Sequence, residues 1–197
     1  MVTQVHDTTC RSCGFPADIG QTKCKKCKNP VLISTFNSVY AMPMSMVKQY
    51  AAEYRTALQN EPDARDLNNG LAMCYLKLKL YDKALNAFEK AIEDNFDNPE
   101  TFYYAAICLL GGKKAFLAQR PEIDKIEEYI NAALAIEPKG IYYYFWAYIK
   151  YDYFFRKSFI TFPTYKELLN QSLTFGLSEY DISQLFSVLC LSRPECL

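Results

Sequence analysis

Apolar and small residues return along this chain at intervals of three and four, and the whole pattern returns after 34 residues. In SMVKQYAAEYRTALQNEP they are Val47, Tyr50, Tyr54, Ala57 and Leu58. This spacing predicts an amphipathic helix with Ser45 as its N-cap and Pro62 beyond its end. YDKALNAFEKAIEDN and IDKIEEYINAALAIEP share the layout. Tyr50, Tyr54 and Ala57 each lie 34 residues before Ala84, Phe88 and Ala91, and Leu71, Ala72, Cys74 and Tyr75 each lie 34 before Ala105, Ala106, Cys108 and Leu109. Ile126, Ile130 and Ala133 follow by 42, the eight extra residues falling in the loop GGKKAFLAQRPEI. The period predicts paired helices that each expose an apolar face until a neighbour covers it. Ala72, Ala84 and Ala91 would let helices approach closely, with Leu71, Tyr75 and Phe88 filling the space between them. Cys74 and Cys108, in equivalent slots, read as packing residues.

The segment Arg65 to Asn95, RDLNNGLAMCYLKLKLYDKALNAFEKAIEDN, resembles a tetratricopeptide (TPR) repeat at Leu71, Ala72, Tyr75, Tyr81, Ala84, Phe88 and Ala91, with Asn68 in place of the usual bulky residue. A second copy matches at Phe102, Ala105, Ala106, Ile130, Ala133 and Pro138. A third, opening IYYYFWAYIKYDYF, matches poorly. The resemblance runs from Met46 to Tyr153 and implies a groove lined by the first helix of each pair. By register the groove residues would be Asn69, Met73, Lys77, Tyr103, Tyr104, Ile107, Tyr143 and Tyr144, followed by Ala147. A TPR subset that grips acidic C-termini uses Lys, Asn and Arg. The matching positions here hold Asn69, Met73, Tyr104, Gly140 and Tyr144, so that ligand class is rejected and an apolar or helical protein segment is expected instead.

Ahead of the repeats, four cysteines fall as Cys10-x-x-Cys13, ten residues, then Cys24-x-x-Cys27. Two such turns supply the four-thiolate shell that structural zinc prefers, so zinc is the expected cofactor. Gly14 follows the first pair, where a positive φ is often needed. CRSCGFPADIGQTKCKKCKNP resembles the short zinc-ribbon domain, with Lys28 where that family usually has a second Gly. A redox CxxC and a disulfide pair are competing readings, and His6 is a substitute ligand to weigh. So small a ribbon cannot fold on burial alone, so zinc would supply its folding energy. Residues 1–30 carry Arg11, Lys23, Lys25, Lys26 and Lys28 against Asp7 and Asp18, or +3, leaving −3 for the remainder. Those lysines either offset the −2 charge of a zinc tetrathiolate or contact nucleic acid, for which only Phe15 offers a stacking ring.

The expected fold is mainly α: a TPR-like helical-repeat solenoid with a small N-terminal four-cysteine zinc ribbon. Residues 1–30 form the ribbon, 31–44 a linker or an added strand, 45–191 the helical domain and 192–197 a frayed tail. Pro163 is expected at a first helical position, Gly176 at that helix's end, and Ser178 with Asp181 as a capping box for the last helix. Thirteen aromatics lie between Tyr142 and Tyr165, as an aromatic core or an exposed interaction patch. The N-terminus lacks a signal-peptide pattern, and the uncharged stretch Asn29 to Val47 is too polar for a membrane span, so a cytoplasmic protein with no membrane partner is expected. No catalytic motif appears. Gly111-Gly112-Lys113-Lys114 lacks phosphate-loop spacing and reads as a helix end, and Glu127-Glu128 as a solvated face. The reading is a non-enzymatic protein-interaction adaptor. The alternatives are a nucleic-acid-linked regulator that uses the basic ribbon, or a thiol oxidoreductase.

Overall fold

A computed structural model describes residues 10, 13–17, 21–93 and 97–197. Nine α-helices are found among them, and no strand beyond isolated bridging residues. The chain divides into two compact units, Met1–Glu93 and Asp94–Leu197.

The first unit holds the four cysteines, then α1 (Phe36–Ala41), α2 (Met44–Leu58), α3 (Arg65–Lys77) and α4 (Tyr81–Ile92). Lys23 and Pro30 form an antiparallel bridge, and the chain leaves it extended, with Val31 and Ile33 buried. α2 grips this exit. The Tyr54 hydroxyl donates to the Val31 carbonyl (2.8 Å) and accepts from the Ile33 amide (3.0 Å). Tyr50 donates to the Gln21 carbonyl (2.9 Å), and Lys23 pairs with Glu53 (2.9 Å). Within 31–44 the chain forms an anchored extended exit followed by α1, with no strand there. Phe36 and Val39 are buried, Thr35 caps α1, and α1 lies on α3. Ser45 does not cap α2. The helix begins one residue earlier, at Met44, after Pro43.

α3 pairs with α2 on one side and α4 on the other, with Ala72, Ala84, Phe88 and Ala91 buried as the spacing requires. The departure at Asn68 has a local reason. Its buried amide donates to the carbonyls of Pro62 (2.9 Å) and Ala64 (3.2 Å), tying down the turn that enters α3.

The second unit contains α5 (Pro99–Leu110), α6 (Arg120–Ile136), α7 (Gly140–Ile149), α8 (Tyr165–Thr174) and α9 (Glu179–Leu189). α5 packs on α6, α7 on α8, and α9 on α7. Asn98 caps α5 and Pro99 takes its first turn. Gly111 ends it in the left-handed conformation (φ 55°), as expected for Gly-Gly-Lys-Lys. The eight-residue insertion carries a 3₁₀ turn, Ala115–Leu117. Gly140 lets the start of α7 lie against the turn after α8: a Cβ there would stand 2.5 Å from the Leu177 amide nitrogen and the Ser172 carbonyl. α8 is capped by Thr164, with Glu167 completing the box, so Pro163 lies outside the helix and not at its first position. Ser178 and Asp181 form the expected box on α9, and Gly176 turns the chain with φ 77°.

α7 ends in a π-helical turn, Lys150–Phe154, and a 3₁₀ turn, Phe155–Lys157. Here Glu127 departs from its expected solvated role. It accepts from the Trp146 indole (2.7 Å) and pairs with the buried Lys150 (2.7 Å), joining α6 to α7. Glu128 does stay exposed, paired with Lys125.

Candidate metal centre and interaction faces

Two tight turns bring the four cysteines together. The Gly14 amide donates to the Cys10 carbonyl (2.7 Å) and the Lys28 amide to the Cys24 carbonyl (3.0 Å). Gly14 has φ 66° and Lys28 has φ 65°, so the two knuckles share one conformation although only one carries glycine. All four sulfurs lie within 4.8 Å of one another. Cys10 and Cys27 are 3.3 Å apart, Cys13 and Cys24 3.6 Å. Four sulfurs bound tetrahedrally to one zinc would stand roughly 3.8 Å apart, so the donor set and spacing fit a metal ion. As thiols, the four are unequal. Backbone amides, led by that of Cys27, hold the Cys24 thiol down to about 6. The Asn29 amide lowers Cys27, but the neighbouring thiols of Cys10, Cys13 and Cys24, together with burial, outweigh it and push Cys27 up to about 12. Of the basic head, Lys23 is taken by Glu53, while Lys25, Lys26 and Lys28 are exposed. His6 and Arg11 lie outside the described residues.

The eight groove candidates do not form an open groove. Met73, Tyr103, Tyr104, Ile107 and Tyr144 are buried; only Asn69, Lys77 and Tyr143 keep part of their surface. The physical reason is that the chain covers both faces itself. In the first unit the Lys77 ammonium donates to the Tyr40 carbonyl of α1 (2.7 Å) and sits over its ring. Asn69, Met73 and Lys77 share one stripe of α3, the side turned to α1. In the second unit α9 takes the corresponding place: Phe186 meets Tyr144 and Tyr148 edge-on, at 6.3 and 5.6 Å between ring centres. Tyr103 packs on Tyr104, Tyr142 and Phe145. Burial raises the hydroxyl pKa of Tyr103, Tyr104, Tyr142 and Tyr148. The aromatic run thus divides. Tyr142, Tyr144, Phe145, Tyr148, Tyr153 and Phe154 are core, while Phe155, Phe159 and Phe162 are exposed.

An open groove of about 560 Å³ lies elsewhere, among α2, α3 and α4. Arg55, Lys83 and Lys90, with the carboxylate of Asp82 among them, stand around apolar Leu58, Leu71 and Tyr75. Sequence reasoning passed over it because it attended to one face of each first helix. The signal was three cations projecting from α2 and α4, beside the repeat's own apolar slots.

Residues 51–111, from α2 to the end of α5, match the tetratricopeptide repeat family. No curated protein matches the chain. One solved structure, titled "MamA MSR-1 C2", is similar over 77% of this chain and 87% of its own, at 14% identity and a TM-score of 0.46. The protein is thus a mainly helical chain with a tetratricopeptide-type segment and an N-terminal cluster of four cysteines able to hold a metal ion. None of the helices among the described residues is long and apolar enough to cross a membrane.

Proposed function

We propose that this protein is a non-enzymatic, cytoplasmic adaptor, in which a zinc ribbon braces the entry to a helical-repeat domain that holds a partner protein. The match of residues 51–111 carries the reading, because stacked helical hairpins of this kind build surfaces for protein recognition. Cys10, Cys13, Cys24 and Cys27 would hold zinc as thiolates. Four protein ligands close its coordination shell, so the ion supplies folding energy and cross-linking rather than an open catalytic position. A reducing compartment suits four thiols kept for metal.

The partner segment belongs in the open groove of the first unit, not on the covered faces. Three cations against the single carboxylate of Asp82, over a partly apolar floor, favour a segment with apolar side chains flanked by Asp or Glu. The test is affinity capture from the host lysate with and without nuclease, beside a Lys83→Glu/Lys90→Glu variant and a Cys24→Ser variant. A nuclease-resistant protein partner lost with the charge reversals supports the adaptor. Recovery that disappears with nuclease or with Cys24→Ser, yet survives the charge reversals, moves the reading to the nucleic-acid-linked regulator, for which the exposed Lys26 and Lys28 would be contacts.

A further inference from the structure

We propose that the second unit also docks peripherally on anionic lipid surfaces, through a basic and apolar edge made by residues 113–117 and 155–162. This surface is independent of the groove assigned to a protein partner.

The two segments are some 40 positions apart in sequence and are held together by one buried carboxylate. Asp152, in the π-helical turn, accepts from the Phe116 amide (2.8 Å) and pairs with Arg156. Arg156 and Lys157 then lie over the Phe116 ring, 4.6 and 5.1 Å from its centre. Ser158, in the left-handed region at φ 61°, turns the chain outward after them. Beyond that turn Ile160 is 89% exposed and Phe162 79%, and on the other segment Leu117 is 68% exposed. These side chains stand out from the fold, as do Phe155 and Phe159, while Tyr142, Tyr144, Phe145, Tyr148, Tyr153 and Phe154 are packed inside.

Charge selects the occupant. The two segments contribute Lys113, Lys114, Arg156 and Lys157 and no carboxylate. Asp152 offsets Arg156, so a second copy of the chain would set the three further cations, Lys113, Lys114 and Lys157, against the same three. A structured protein would need a separate pocket for each projecting side chain. A bilayer accepts convex apolar groups without preformed shape, and its anionic headgroups meet the cations at the level where Lys and Arg stems snorkel. The contact is interfacial and needs no spanning helix.

The test is flotation of the purified, zinc-loaded full chain with vesicles of phosphatidylcholine alone or containing about one third phosphatidylserine, at about 0.1 M salt. Binding at least about tenfold stronger to the anionic vesicles is expected. Lys113→Gln/Lys114→Gln is expected to weaken it about 25-fold, at about fivefold per charge. Ile160→Ser/Phe162→Ser is expected to weaken it by at least about tenfold, with an unchanged melting temperature because both side chains are already in water. No preference for anionic vesicles, or equal binding by the Ile160/Phe162 variant, overturns the proposal. So does a concentration-dependent dimer in sedimentation that is lost in that variant while vesicles are ignored, which would make the edge a self-association face.

Discussion

Gly70 faces the ring of Tyr54 so closely that a methyl group on its α-carbon would stand 2.9 Å from the Tyr54 Cε2. Tyr54 has no room to yield. It is fully buried, and its hydroxyl is fixed by Val31 on one side and Ile33 on the other. The absence of a side chain in the middle of α3 is therefore what allows α2 to hold the exit of the ribbon.

Gly70→Ala should lower the stability of the first unit by about 1–3 kcal/mol, although alanine is the better helix former by about 1 kcal/mol. Urea unfolding followed by circular dichroism measures this. A stabilised Gly70→Ala protein would show that Tyr54 moves aside freely.

Lys28 occupies a conformation that costs a side-chain-bearing residue roughly 1–2 kcal/mol. Lys28→Gly should relieve about 1 kcal/mol of this and raise zinc affinity correspondingly, close to fivefold. Competition with a chromogenic chelator reads the change. Removal of one of the three exposed ribbon lysines should at the same time leave protein-partner capture intact.

The eight cysteines should react with a thiol reagent in three classes. Cys190 and Cys196 are exposed and should react at once. Cys10, Cys13, Cys24 and Cys27 should react only after a chelator removes zinc. Cys74 and Cys108 should react only on unfolding, since both are buried and burial pushes the Cys74 thiol up to about 12. Immediate reaction of the ribbon thiols in freshly purified, zinc-supplemented protein would count against the metal centre.

Lys150 is buried against Glu127, which also accepts from Trp146. Glu127→Ala leaves an ammonium in the interior and should cost about 3–5 kcal/mol. Glu127→Ala combined with Lys150→Met should recover much of that loss. Trp146 is the only tryptophan, so its fluorescence follows both variants directly.

Burial raises the hydroxyls of Tyr54, Tyr103, Tyr104, Tyr142 and Tyr148 above the ordinary phenol value near 10. The unfolded chain loses these protons first, so the folded state binds more protons at high pH. Stability is then complete below about pH 10 and falls as pH rises beyond it. Absorbance at alkaline pH should show the exposed tyrosines ionising smoothly. The buried group should ionise later, in step with loss of helical circular dichroism.

The sequence by itself determined the elements whose signals are local. A 34-residue offset and a three-four spacing placed the helices, because periodicity is a property of one helix and its own apolar face. The spacing of Cys10, Cys13, Cys24 and Cys27 singled out the four thiols that the fold brings together, because a CxxC turn is closed by its own backbone amides. Ser178 with Asp181 was legible as a cap for the same reason.

Only the tertiary structure decided what covers each face. The register pointed to Met73, Tyr104 and Tyr144 as groove residues. It could not reveal that α1 and α9, distant in sequence, would lie on α3 and α7. Nor could composition divide the aromatics between Tyr148, inside, and Phe162, outside. A phenyl ring looks the same in sequence whether its neighbours arrive or not, and burial depends on segments brought together by the whole fold.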